Sequence, residues 1–153
     1  MTQILSAFSR DANSVPIWTE GLIETKSITY AAATTGAIAT TTLFTVTGCV
    51  AVRVFGVCTS TLTSGGVPTL EVGISGATAV VLAQIVNATD LATDELYLDA
   101  TPTTKVEAMP SRLIISAGQD IIQTIGTATI TGGSLAYYCV WAPISNDGTV
   151  SAT

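Results

Sequence analysis

The sequence predicts an all-β protein: a single antiparallel β-sandwich, jelly-roll-like, with about eight or nine strands behind an extended N-terminal arm. Three observations predict it. Valine, isoleucine, threonine and aromatic residues dominate the apolar runs, which favours strands over helices. Turn sequences rich in glycine and serine break these runs at short intervals. The chain of 153 residues is long enough for one domain with its own core.

The most apolar run, residues 43–62, carries a single charge, Arg53. The composition of this run disfavours a membrane-spanning helix, because Arg53 would lie mid-span and because Gly48 and Gly56 disfavour helix. Residues 41–46 and 49–61 are therefore predicted as two strands. In the second, Val50, Val52 and Val54 alternate with Ala51, Arg53 and Phe55. We expect the valines to face the core and the alternate face to meet a partner.

Nine strands are predicted, at residues 21–31, 41–46, 49–61, 67–74, 77–86, 95–99, 112–116, 120–127 and 134–142. Turns such as Ser75-Gly76 and Ala117-Gly118 join neighbouring strands as hairpins. The predicted organisation is an arm (1–20), a sandwich body (21–144) and a C-terminal tail (145–153). A plain sandwich or a β-barrel fits the strand count almost as well as a jelly roll.

The predicted arm contains large apolar side chains around the polar segment 9–14. A disordered tail would be poorer in such residues, so we expect the arm to lie extended against a partner. Phe8 and Trp18 are the main candidate anchors. The full set of candidate anchors is Ile4, Leu5, Phe8, Ile17 and Trp18.

The charge content is low: 10% of residues are charged, against about a quarter in typical soluble domains. So few charges predict a surface covered by neighbours, as in a subunit of an assembly. The net charge of −6 argues against nucleic acid as the main partner. The five basic residues form no patch in the sequence; they are Arg10, Lys26, Arg53, Lys105 and Arg112.

Catalytic motifs are missing from the sequence. It contains no histidine, which excludes Ser-His-Asp and Cys-His nucleophile systems. No phosphate-binding glycine motif follows a predicted strand. The sequence has an odd number of cysteines, Cys49, Cys58 and Cys139, and none of them lies in a C-x-x-C motif. We therefore expect no disulfide framework, and we expect all three cysteines to be small apolar residues of the core. We therefore expect no enzyme activity, no cofactor and no metal. The N-terminal residues lack a secretory signal, which predicts synthesis in a cytoplasm.

Ionisable side chains concentrate in residues 87–107, and three interpretations are open. A calcium site needs clustered oxygen ligands, but the spacing departs from known calcium loops. A glycosidase would need two carboxylates across a cleft. A solvated acidic loop is the interpretation that we favour. The carboxylates are Asp90, Asp94, Glu95, Asp99 and Glu107.

Aromatic residues cluster in the sequence near residue 138. Alternation places Tyr137, Cys139 and Trp141 on one strand face and Tyr138 on the other. Core packing explains the first face. For Tyr138, a contact between subunits is the alternative to core packing, and a sugar-binding platform lacks polar neighbours.

Three segments carry a resemblance to a known class of proteins: FSRDANSVPIW, LFTVTGCVAVRVFGVC and YYCVWAPISNDGTV. They resemble virion structural proteins of tailed double-stranded DNA bacteriophages, most of all head decoration or cement proteins. The resemblance implies a β-sandwich on the capsid exterior that binds the major capsid protein, often as a trimer. Its motifs are structural, so no catalytic residue follows from it.

The sequence thus predicts a homo-oligomeric structural protein, most simply a homotrimeric capsid decoration protein, with no membrane partner and no direct nucleic-acid partner. Arg53, Phe55 and Tyr138 are the candidate interface residues. A phage tail or head-fibre component, with host-surface glycan binding, is the alternative; a fibre would be expected to show repeats or a coiled coil. An enzyme or a sugar-binding module is the third class.

Overall fold

The computed structural model describes residues 21–102 and 104–153, which form strands and one 3-10 turn at Ala88–Asp90. No helix in these residues is long and apolar enough to span a membrane. The ten strands are β1 (Leu22–Thr29), β2 (Thr40–Thr47), β3 (Val50–Thr63), β4 (Thr69–Ile74), β5 (Ala77–Ile85), β6 (Leu96–Tyr97), β7 (Leu113–Ile115), β8 (Ile121–Gly126), β9 (Gly132–Pro143) and β10 (Thr149–Ala152).

The strands form two antiparallel sheets. The first has the order β1-β9-β3-β6, with β7 also paired to β3, and the second has the order β10-β2-β8-β4-β5. The pairs β1–β9, β2–β8, β3–β7 and β4–β5 are nested along the chain, which is the connectivity of a jelly roll. The predicted all-β, jelly-roll-like sandwich is confirmed.

Strand β3 shows why the chain folds into two layers. Val50, Val52 and Val54 are buried between the sheets, whereas Arg53 and Phe55 are half-buried on the outer side. Because side chains alternate along a strand, one apolar set fills the core and the other faces away from it. The predicted core face of this strand is confirmed.

The middle of the core contains a polar cluster. The hydroxyls of Tyr30 and Tyr137 both donate to Gln123 Oε1, at 3.0 and 3.1 Å. All three side chains are buried, and the Gln123 amide nitrogen has no hydrogen-bond partner. Burial raises the pKa of Tyr30 and of Tyr137 above the ordinary value for tyrosine. The cluster links the two sheets, since Gln123 lies in β8 and Tyr137 in β9.

The C-terminal residues differ from the prediction. Residues 145–153 were expected to form a tail beyond the sandwich, but Thr149–Ala152 form β10, which pairs with β2 at the sheet edge. A turn makes this possible: the Gly148 amide donates to the Ser145 carbonyl at 3.0 Å. The Cys49 amide donates to Ser145 Oγ at 2.7 Å, which fixes the turn against β3. The body therefore extends to residue 152.

The region around β6 also departs from the prediction. The strand expected at residues 95–99 is limited to Leu96–Tyr97. Asp99 ends it, because its carboxylate accepts a hydrogen bond from the Thr101 amide at 2.6 Å and closes a local turn.

Candidate functional site: the outer face of the first sheet

The outer face of the first sheet brings together the three residues that the sequence singled out as interface candidates. The register pairs Arg53 with Val140, and Phe55 with Tyr138. Residues paired across antiparallel strands point to the same face, so these four side chains are neighbours. The rings of Phe55 and Tyr138 are stacked.

The same face extends over five strands. Ile23 on β1 and Ile114 on β7 lie at its two sides and are 60% and 70% exposed. At its centre, Ala136 and Val140 are buried among their neighbours. We call this surface the apolar face; its residues are Ile23, Ala51, Arg53, Phe55, Val57, Leu96, Ile114, Ala136, Tyr138 and Val140.

The outer face of the second sheet is chemically different. Hydroxyl groups pair across its strands: Thr40 with Thr124 at 3.3 Å, and Thr45 with Thr153 at 3.2 Å. We call it the hydroxyl face; its residues are Thr40, Thr42, Thr45, Thr47, Thr124, Thr149 and Ser151. One side of the sandwich is therefore suited to water and the other to a partner.

Arg53 gives the apolar face a charged group. Its side chain is half-buried, opposite Val140 on β9 and two residues before Phe55 on the same face of β3. Guanidinium groups bind carboxylates through two parallel hydrogen bonds and also stack on aromatic rings. Arginine and aromatic residues are enriched in the centres of protein interfaces. This composition is typical of a surface that binds another protein.

The structure adds residues to the predicted set. Ile23 and Ile114 were not singled out from the sequence, although the alternation Ile23, Thr25, Ser27 in β1 indicates the outward position of Ile23. Nothing in the sequence places Ile114 beside Ala51, because that neighbourhood depends on the β3–β7 pairing. The predicted arm anchors Ile4, Leu5, Phe8, Ile17 and Trp18 lie outside the described residues.

The acidic stretch stabilises its own turns. The Glu95 carboxylate accepts from the Ala92 amide at 2.8 Å, and the Asp90 carboxylate accepts from the Asn87 side chain at 2.9 Å. Asp94 lies 3.6 Å from Lys105. Among residues 21–102 and 104–153, no three potential ligand side chains are placed to hold a metal ion. These carboxylates therefore have local structural roles.

The three cysteines are free thiols. Cys58 and Cys139 are buried, as expected for core residues, whereas Cys49 is only half-buried. Burial, with a smaller contribution from the Glu24 charge, raises the pKa of Cys139 to about 12. Burial also raises the pKa of Cys58. Both thiols are protonated at neutral pH and are poor nucleophiles.

Comparisons with protein families, with curated proteins and with solved structures found no match.

Proposed function

We propose that this chain is a non-enzymatic structural subunit of a phage virion: a capsid decoration (cement) protein that binds and stabilises the outer surface of the head. The observation that carries the proposal is the apolar face on one side of a sandwich whose other side is the hydroxyl face. The resemblance of three sequence segments to decoration proteins supports the virion setting.

The apolar face supports an assembly role on physical grounds. Exposed side chains such as Ile23 and Ile114 lose water contact when a partner covers them, and this stabilises the complex by about 25 cal/mol per Å² of apolar surface. Stable interfaces bury roughly 800 Å² on each partner. In the proposed assembly the chain forms a homo-oligomer, a trimer in its simplest form, and the major capsid protein is the second partner.

A phage tail or head-fibre component is the second candidate. The observation that favours it is the stacked pair of Phe55 and Tyr138, whose half-buried rings leave aromatic surface that a sugar could contact. Thr25 lies opposite Tyr138 and offers a hydroxyl group. In this alternative, the apolar face binds a glycan of the host surface.

The proposal is tested by adding the purified protein to phage heads that lack decoration. Wild type is compared with Phe55→Glu on the apolar face and with the control Thr47→Glu on the hydroxyl face. We expect wild type and the control to bind and the Phe55 variant to lose binding, because a carboxylate is costly to bury in an apolar interface. Cryo-electron microscopy of the decorated head then shows where the chain lies.

Equal binding by both variants would remove the apolar face from the proposal. Failure of wild type to bind heads, together with binding to host cells that soluble host glycan competes away, would favour the tail or fibre alternative.

A further inference from the structure

A groove opens along one edge of the sandwich, between the two sheets. Within residues 21–102 and 104–153, β5 pairs only with β4 and β7 only with β3, so both strands have an open side here. The groove has a volume of about 300 Å³. No charged side chain lines it; its apolar lining is Ile74, Val80, Val81, Leu113, Ile114 and Ile115.

The groove is suited to an extended apolar segment. Val80 is 52% exposed and Ile114 is 70% exposed, so the lining is not covered by the described chain. Open strand edges present backbone amide and carbonyl groups that an added strand can pair with, and the pockets between the sheets then accept alternate side chains.

The first eight residues of the chain, MTQILSAF, match this groove in chemistry. They carry no charged side chain, and four of them are large and apolar: Met1, Ile4, Leu5 and Phe8. A segment without charged side chains enters a groove without charged side chains, so no side-chain charge is buried unpaired.

The position of β1 puts the groove of a neighbouring copy within reach of this segment. Residues 1–20 lead into β1, which lies at the opposite edge of the first sheet from β7, three strand spacings or about 14 Å away. Residues 9–20 can span up to about 40 Å when extended. In a head-to-tail contact, the β1 edge of one subunit faces the groove edge of the next, and the segment crosses directly to the neighbour.

We propose that residues 1–8 of one copy occupy the groove between β5 and β7 of a second copy. The inference rests on the proposed function, because it takes the chain to be an assembly subunit. The contact is heterologous, joining two different surfaces, and such contacts close into rings when the rotation between subunits permits.

The test uses three full-length variants and sedimentation velocity at micromolar concentration. Val80→Lys places a charge in the groove, Phe8→Asp places one on the inserted segment, and Val67→Lys is the control. Val67 is 59% exposed, an exposed fraction similar to the 52% of Val80, and it does not line the groove. We expect wild type and the control to be oligomeric, and the other two variants to lose the oligomer.

Mixing the two defective variants gives the sharpest readout. The Val80 variant keeps an intact segment and the Phe8 variant keeps an intact groove, so an equimolar mixture should form a one-to-one dimer and nothing larger. Thermal unfolding checks that each variant is folded; if Val80→Lys is not, Val80→Gln takes its place.

Three results would overturn the inference: retention of the oligomer by both variants, retention by the Phe8 variant alone, or an equimolar mixture that stays monomeric. After either of the first two results, the oligomer would be held by other surfaces and the proposed function would stand. A monomeric wild type would instead remove the homo-oligomer from the proposed function, and this inference with it.

Discussion

The rings of Phe55 and Tyr138 lie 5.1 Å apart, centroid to centroid, and within 13° of parallel on the apolar face. They come from β3 and β9, the two central strands of the first sheet. The pair therefore contributes to the stability of the sheet as well as to the surface that a partner would cover.

The first prediction measures the coupling between these two rings. Phe55→Ala, Tyr138→Ala and the double variant form a mutant cycle, and we expect a coupling free energy of about 0.5–1.5 kcal/mol. Urea unfolding of wild type and of the three variants gives the four free energies of the cycle. The cycle is run at several protein concentrations, because an oligomer makes the unfolding midpoint depend on concentration. Additive single effects would show that the stacked geometry contributes nothing beyond buried area.

The second prediction concerns the polar cluster in the core. Gln123→Leu removes the acceptor of both the Tyr30 and Tyr137 hydroxyls, and an unpaired buried hydroxyl costs about 1–3 kcal/mol. We expect urea unfolding to show a fall in the free energy of unfolding of this size at most. The two hydroxyls lie 3.4 Å apart and can bond to each other, and leucine removes an amide nitrogen that has no partner.

A compensating variant provides the control for this cluster. Tyr137→Phe alone removes one donor, and in the Gln123→Leu background it also removes a hydroxyl that has lost its acceptor. We expect the double variant to be more stable than the sum of the single effects indicates. A strictly additive result would mean that the hydroxyl finds another partner.

The third prediction concerns thiol reactivity. Cys49 is half-buried, whereas Cys58 and Cys139 are buried with raised pKa values. In native protein at pH 8, we expect a thiol reagent to label Cys49 first and the other two only at the rate of unfolding. The control is Cys49→Ala, which should lose the fast phase. A fast phase that persists in this variant would show that a core thiol is accessible.

The fourth prediction is a loss of stability in alkaline solution. The Cys139 thiol has an ordinary pKa of 9.0, and burial raises the folded value to about 12. Above pH 9 the unfolded chain releases this proton and the folded chain keeps it, so stability falls as the pH rises from about 9 to about 12. The buried Tyr30, Tyr97 and Tyr137, whose pKa values are also raised, act in the same direction.

The measurement is the melting temperature between pH 8 and pH 11. Cys139→Ala removes one of the titrating groups, so its melting temperature should fall less steeply from pH 9 to pH 10.5 than that of wild type. Parallel curves for the two proteins would assign the alkaline transition to the buried tyrosines and Cys58.

Local sequence patterns predicted much of the fold. Runs of β-branched residues and turns such as Ser75-Gly76 located the long strands, and alternation in β3 separated Val52 from Arg53. Strand β10 was missed because Thr149–Ala152 is short and weakly apolar, and its pairing with β2 depends on a distant part of the chain.

The candidate site was predictable residue by residue but not as a surface. Alternation marked Phe55 and Tyr138 separately as outward residues, but their contact depends on the β3–β9 register. The groove was not predicted at all, since it combines the edges of β5 and β7, which lie in different sheets. Long-range pairing of this kind leaves no mark in a local pattern.

The threonine pairs of the hydroxyl face bear on whether a second layer of subunits can form. Thr40 and Thr124 bond to each other, as do Thr45 and Thr153, so the hydroxyls of each pair already have a partner within the molecule. A second layer of subunits would gain little from replacing these bonds and the surrounding water. If the protein coats a surface as proposed, the coat would be self-limiting. Each molecule would bind through its apolar face and present the hydroxyl face outward, so a second layer would not form.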